Sequence, residues 1–191
     1  MNSVPRKVVL IGASTGGPSQ IEQIIKSLPK LDSTSFVIAQ HMADGFMPSY
    51  ALRLQDKHPN NIKVVVGNEV FERGYIYLCT GLTSVIKNSY EIKFVYNSAT
   101  VNSYNPDINF IFESFIPLVN DMQIMSVILT GIGDDGVSAT VQLSLNGVRC
   151  ITEDQNSAIV DGMPSRARQL VPNIEVHSLN DIINIIGEFS E

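Results

Sequence analysis

Cysteine is scarce in this chain. Cys79 and Cys150 are the only two, lie far apart, and each falls in an apolar, strand-like run. They read as buried free thiols rather than a disulfide or a metal pair. The three histidines, His41, His58 and His177, lack zinc-ligand spacing, so no metal site is expected. Long apolar runs are missing too. None approaches the roughly 18 residues of a membrane span. Val8-Val9-Leu10-Ile11, after the short lead-in from Met1 to Lys7, is too brief for a signal-peptide core and runs into a glycine turn. A cytoplasmic location without membrane insertion is the expectation. There is no basic cluster: 13 Lys and Arg are scattered against 19 Asp and Glu, for a net charge of −6. That leaves no electrostatic footprint for nucleic acid. Linkers, repeats and low-complexity tracts are absent as well. The 191 residues, 44% hydrophobic and 17% charged, therefore read as one folded domain over residues 1–191.

What is present is an alternation of strands and helices. Lys7 to Ile11 is a buried strand, followed by a glycine turn. Ile21, Ile24, Ile25 and Leu28 then form one face of a helix ending near Pro29. Ser35 to Ala39 is a second strand, and Pro48 opens a helix with Met47, Tyr50, Ala51 and Leu54 inward. The middle changes character. Lys63 to Val66, Tyr75 to Leu78 and Glu91 to Val95 are short strands between turns at Gly67, Gly74 and Asn88, expected as hairpins inserted in or appended to the main sheet. A helix begins near Pro106 with Ile108, Ile111, Phe112, Phe115 and Val119 on one face, and Pro117 kinks or ends it. The strand Ile124 to Leu129, a helix to Asn146 stopped by Gly147, the strand Val148 to Thr152 and a last helix from near Ser178 complete the chain. The fold class is α/β: a mostly parallel, doubly wound sheet with helices on both faces and a mid-chain β-hairpin insertion.

In such sheets the site lies beyond the carboxyl ends of the strands. Three turns on that edge carry polar chemistry: Gly12-Ala13-Ser14-Thr15-Gly16-Gly17, Gln40-His41-Met42, and Gly131-Ile132-Gly133-Asp134-Asp135-Gly136. Between them they offer a hydroxyl, an imidazole and a carboxylate. A hydroxyl becomes a competent nucleophile when a base takes its proton, and a carboxylate on the far imidazole nitrogen orients that base. Ser14, His41 and Asp135 are the candidate triad. Backbone N–H groups around Ser14, Gly16 included, and at Ile132 and Gly133 are candidates to bind an oxyanion. Taken singly, each residue has an ordinary alternative: Ser14 as a helix cap, His41 as a strand-end histidine, Asp135-Gly136 as a turn. The order Ser, His, Asp also differs from α/β-hydrolases, and no Gly-x-Ser-x-Gly elbow is present.

These segments, with Leu129-Thr130 before the third turn and Gly162-Met163-Pro164 after it, resemble the catalytic domain of the chemotaxis protein-glutamate methylesterases, the CheB type. The resemblance runs in order over nearly the whole chain. It implies Ser14 as nucleophile, His41 as base and Asp135, not Asp134, as the orienting acid. It further implies that Thr15 contacts the histidine and that the Ile132 backbone helps bind the oxyanion. No cofactor is implied. The implied substrate is the glutamate γ-methyl ester on the cytoplasmic domain of methyl-accepting chemotaxis receptors, cleaved with release of methanol; some members also deamidate receptor glutamines. Family members usually carry an N-terminal receiver domain. Here the chain starts at the first catalytic-domain strand, so no receiver domain and activity without phosphorylation are expected. Where the family has Ala-Pro-Gly-Gly-x-His, this chain has Cys79-Thr80-Gly81-Leu82-Thr83-Ser84.

Two other classes compete. The strand, glycine turn and helix at Val8 to Gly17 fit an NAD(P)-binding oxidoreductase, but glycines at 12, 16 and 17 do not spell Gly-x-Gly-x-x-Gly, and the second strand ends in Gln40-His41 rather than an acid. A non-catalytic receptor-binding module on the same fold is opposed only by the intact triad positions. A cysteine hydrolase using Cys150 is weaker, because Val148 to Ile151 reads as a buried strand.

Overall fold

β1 (Lys7–Ala13) and β2 (Thr34–Gln40) have apolar centres, Val8 to Ile11 and Phe36 to Ala39, buried on both faces, as central strands of a parallel sheet must be. The computed structural model describes residues 4–97 and 104–191; the lead-in at residues 1–3 lies outside them. β1 and β2 pair in parallel from Lys7 opposite Thr34 to Ala13 opposite Gln40. On the other edge of β1 runs β7 (Gln123–Ile128), with Lys7 opposite Gln123. β8 (Arg149–Glu153) and β9 (Glu175–His177) extend that side. β4 (Tyr75–Leu78) and β3 (Asn61–Val64) extend the other. The result is one seven-stranded sheet, all parallel, in the order β3-β4-β2-β1-β7-β8-β9.

Alternate strand residues feed two cores. Val9, Ile11, Phe36 and Ile38 meet the apolar faces of α1 (Gly17–Ser27), α2 (Met47–Gln55) and α6 (Leu179–Ser190). Val8, Leu10, Val37 and Ala39 face α3 (Ile108–Glu113), α4 (Val137–Leu145) and α5 (Met163–Leu170). The antiparallel hairpin of β5 (Leu82–Lys87) and β6 (Ile92–Asn97) packs on that second side, turning at Asn88, whose Oδ1 accepts from the N–H groups of Tyr90 and Glu91. After Glu113 the chain tightens into a 3-10 turn over Ile116–Leu118 around Pro117. Among the described residues no helix is long and apolar enough to cross a membrane. Cys79 and Cys150 are buried and free, and burial pushes the Cys150 thiol up to about 12.

The middle of the chain departs from the sequence reading. Lys63–Val66 and Tyr75–Leu78, expected as hairpin strands, contribute β3 and β4, parallel strands of the main sheet with β3 at its edge and β4 between β3 and β2, and β3 runs from Asn61 to Val64. Among the described residues only β5 and β6 form a hairpin, and β5 is a strand the sequence reading did not identify. The cause is the connection from β3 to β4, which crosses the sheet in extended form with no helical periodicity to betray a parallel link. It pairs with the hairpin instead: Phe71 N–H donates to Ile92 and Phe94 N–H to Glu69. Phe71, at 0% exposure, pins this crossover among Tyr77, Phe94 and Phe115. α5 and β9 also went unread, because each is short and weakly apolar.

Beneath the third polar turn lies Glu153, at 0% exposure. Its Oε1 accepts from Gln20 Nε2 at 2.7 Å and its Oε2 from the Thr130 N–H at 3.2 Å. Burial raises its carboxyl above the usual 4.5, against those hydrogen bonds, which lower it.

Two outcomes follow from this packing. Phe71→Ala should cost about 3–5 kcal/mol, as removal of a buried ring does, read from the urea midpoint at unchanged slope; a shift below 1 kcal/mol would deny the crossover its anchor. For Glu153 the folded form prefers the proton. As pH rises above 4.5 the unfolded chain ionises first and the fold loses stability until the buried carboxyl also ionises. Glu153→Gln should therefore gain stability on the wild type as pH rises through that window, and a pH-independent difference would contradict it.

Candidate active site

The strand order reverses at β1: the chain moves outward to β2 on one side and returns through β7 on the other. At such a switch point, beyond the carboxyl ends of the strands, open α/β sheets bind ligands, and Ser14 lies there, immediately after β1. The Ser14 N–H donates to the Thr130 carbonyl at 2.9 Å, tying the first turn to the third. The approach is so close that a Cβ on Gly131 would stand 2.7 Å from Ser14 Cβ. Only glycine fits. Gly16, at φ 87°, provides the left-handed residue that swings the chain into α1.

His41 follows β2, and its Nε2 lies 2.8 Å from Asp135 Oδ2. The same carboxylate accepts the N–H groups of Ile108 (2.9 Å to Oδ2) and Asn109 (3.0 Å to Oδ1), the opening residues of α3. Asp135 is 1% exposed and the His41 side chain 13%. A carboxylate already holding two N–H donors completes its shell best with a third, so Nε2 carries the proton and Nδ1 keeps the free lone pair. Asp134, one residue earlier, is exposed. The structure thus joins His41 with Asp135 and leaves Asp134 out.

The Ser14 hydroxyl has no hydrogen bond among the described residues. Thr15 is exposed; its carbonyl accepts from Thr130 Oγ1 at 2.9 Å, and no Thr15–His41 hydrogen bond is present among the described residues. Gly131 O accepts from both Gly162 N–H (3.1 Å) and Met163 N–H (2.8 Å). A peptide unit is planar and trans, so pinning the Gly131 carbonyl turns the Ile132 N–H the opposite way. The N–H groups of Ile132 and Gly133 have no acceptor among the described residues. Gly133 has φ 90° and the Ile132 side chain is exposed. Arg168 braces the loop from β8 to α5, gripping Asp161 with two hydrogen bonds of 2.6 and 2.8 Å and the Glu153 carbonyl at 2.8 Å. Among the described residues no group of three or more His, Cys, Asp or Glu is placed to hold a metal.

Two neighbours escaped the sequence reading. Tyr104 stacks on the His41 ring, with centroids 4.9 Å apart and planes 10° apart, and its Oη lies 3.1 Å from where a Gly133 Cβ would stand. It belongs to the segment before α3, whose Asn105 carbonyl accepts from Met42 N–H, and nothing in its spacing marks it. Gln40 belonged to a noted motif without a role; its Nε2 donates to the carbonyls of both Ser14 and His41.

Residues 9–186 match the family model for CheB methylesterase. The chain is 34% identical over 181 residues to the protein-glutamate methylesterase/protein-glutamine glutaminase of Bacillus subtilis, covering 93% of this chain and 50% of that protein. It is 34% identical over 160 residues to a protein of the same name, numbered 3, from Rhodospirillum rubrum, covering 82% and 43%. The chain thus spans about half the length of these relatives. The crystal structure of the Thermotoga maritima CheB methylesterase catalytic domain superposes with a TM-score of 0.86 at 28% identity, over 97% of this chain and 99% of that one. With residues 9–186 matched by the family model and its parallel sheet and hairpin superposing on a CheB catalytic domain, the chain belongs to the CheB methylesterase family.

Proposed function

We propose that residues 1–191 act as a catalytic domain that hydrolyses glutamate γ-methyl esters on the cytoplasmic part of methyl-accepting chemotaxis receptors. The observation that supports this reading is the His41–Asp135 pair, 2.8 Å apart, on the turn after β2, beside a Ser14 turn that is bonded through its N–H to Thr130 at the head of the third turn. In the mechanism, Ser14 Oγ attacks the ester carbonyl while His41 Nδ1 takes its proton. The oxyanion is held by the N–H groups of Ile132 and Gly133, with Gly16 opening the approach. The imidazolium returns the proton to the leaving methoxide, and methanol departs. Water then attacks the acyl-serine by the same route and leaves a glutamate carboxylate. A glutamine side chain enters the same sequence with ammonia as the leaving group, which agrees with the double name of the relatives. Apo-state hydrogen bonds to the nucleophile commonly form only with substrate in place, as an unpartnered Ser14 hydroxyl requires. No cofactor enters any step.

The dinucleotide alternative, which the strand, glycine turn and helix at β1 and α1 could suit, is not favoured. β2 ends in Gln40, where a ribose-binding acid is required.

Ser14→Ala should lower methanol release from methyl-labelled receptor on the order of 10⁴-fold or more, with melting temperature nearly unchanged; near-full activity would end the serine mechanism. Asp135→Asn should lose roughly 10⁴-fold through the misoriented imidazole, and Asp134→Asn little. Equal losses in the two variants would reassign the carboxylate.

A further inference from the structure

The parallel ladder between β1 and β2 ends at Ala13 opposite Gln40. One more backbone bond follows, from His41 N–H to the Ala13 carbonyl at 2.9 Å, and then the two chains diverge into their turns. Ser14 and His41 sit where backbone pairing stops, and proton transfer between them requires a fixed separation. The Gln40 side chain bridges that gap. It is 1% exposed, folded back between the turns, and its Nε2 donates at 2.9 Å to Ser14 O and at 2.9 Å to His41 O. An amide –NH₂ has two protons, and both go to the backbones of the candidate nucleophile and base.

Two further observations separate this from simple filling of space. Gln40 Oε1 is buried with no hydrogen-bond partner among the described residues, a desolvation cost that methionine or leucine of similar size would avoid. What those residues lack is the pair of donors. Gly17 shows the same constraint from the other side: it is not among the glycines of positive φ, yet a Cβ there would overlap Gln40 Oε1. Its bareness leaves room for the amide.

We infer that Gln40 is a positioning residue for the esterase reaction, its amide setting the separation of the Ser14 and His41 backbones while touching neither substrate nor the transferred proton. The inference rests on the serine-esterase reading above. A displacement of about 1 Å between reacting groups costs roughly 10²-fold in rate, which makes such a clamp consequential.

The test is Gln40→Met, which keeps the volume and removes the donors. The readouts are the rate at which a fluorophosphonate labels Ser14, and kcat and KM for methanol release. Labelling and kcat should fall together by roughly ten- to a hundredfold, with KM within about twofold of the wild type. Labelling of the folded variant at the wild-type rate overturns the inference, as does a rise in KM at unchanged kcat. Gln40→Glu guards against a misfolded first variant. Its carboxylate faces two carbonyl oxygens with no donor, whereas its protonated form regains one, so its labelling rate relative to wild type should climb as pH is lowered. A pH-independent ratio overturns the inference. An unlabelled wild-type Ser14 overturns the serine mechanism and this inference together, whereas a labelled wild type matched by Gln40→Met overturns this inference alone.

Discussion

The Asp135 carboxylate is the point to which the rest of the site is referred. It is 1% exposed, and no Lys or Arg bonds it among the described residues. A buried charge in that position must be compensated by dipoles or it is not tolerated. Here the compensation comes from the opening N–H groups of α3 and from the His41 imidazole. The Phe110 N–H goes to Asp107, so three amides of the first turn of α3 are satisfied by carboxylates. The tie runs the other way as well. Asn109 Oδ1 accepts from Ser138 Oγ and the Ala139 N–H at the start of α4. Each helix start is thus capped by a residue of the other segment, and the imidazole is oriented by a carboxylate that cannot move without unseating α3.

Glycine sets how closely the turns approach that carboxylate. At Gly136 the backbone has φ 88°, and a Cβ would come within 2.6 Å of Ile108 Cγ2. A side chain there would push α3 off Asp135. At Gly131 the same argument holds between the third turn and Ser14, with Met163 filling the remaining space. The Gly162-Met163-Pro164 segment therefore sets the third turn: its two N–H groups fix the Gly131 carbonyl, and planarity of the peptide turns the Ile132 N–H the opposite way.

How much of this was legible in the sequence follows from how local each signal is. β1, β2, β7 and β8 announce themselves as short apolar runs, and α1 and α6 by their 3.6-residue periodicity. Those elements alone place Ser14, His41 and Asp135 on one sheet edge, because parallel strands joined by helices leave every first-turn residue on the same side. The parallel pairing of β3 with β4 was not legible, since an extended crossover carries the same turn residues as a hairpin. Tyr104 was not legible either. Its stacking on His41 depends on where the segment before α3 crosses the second turn, a tertiary fact with no trace in spacing. Asp134 and Asp135 were separated by resemblance rather than by physics. The structure supplies the physical reason: one is exposed, and the other lies under the first turn of α3.

The choice of imidazole nitrogen explains why so many bonds converge on the His41 backbone. With Nε2 engaged by Asp135, the proposed base is Nδ1, which is attached directly to the ring carbon that joins Cβ. A base at Nε2 is carried far out on the ring and can be steered by small side-chain rotations. Nδ1 has a much shorter lever, so its position is set mainly by where the backbone of residue 41 lies. That backbone is held by its own N–H to Ala13 O, by its carbonyl to Gln40 Nε2, and through its neighbour Met42, whose N–H donates to Asn105 O. A triad that reaches its nucleophile through the inner nitrogen transfers the burden of precision from the side chain to the main chain, and in this fold the hydrogen bonds follow that burden.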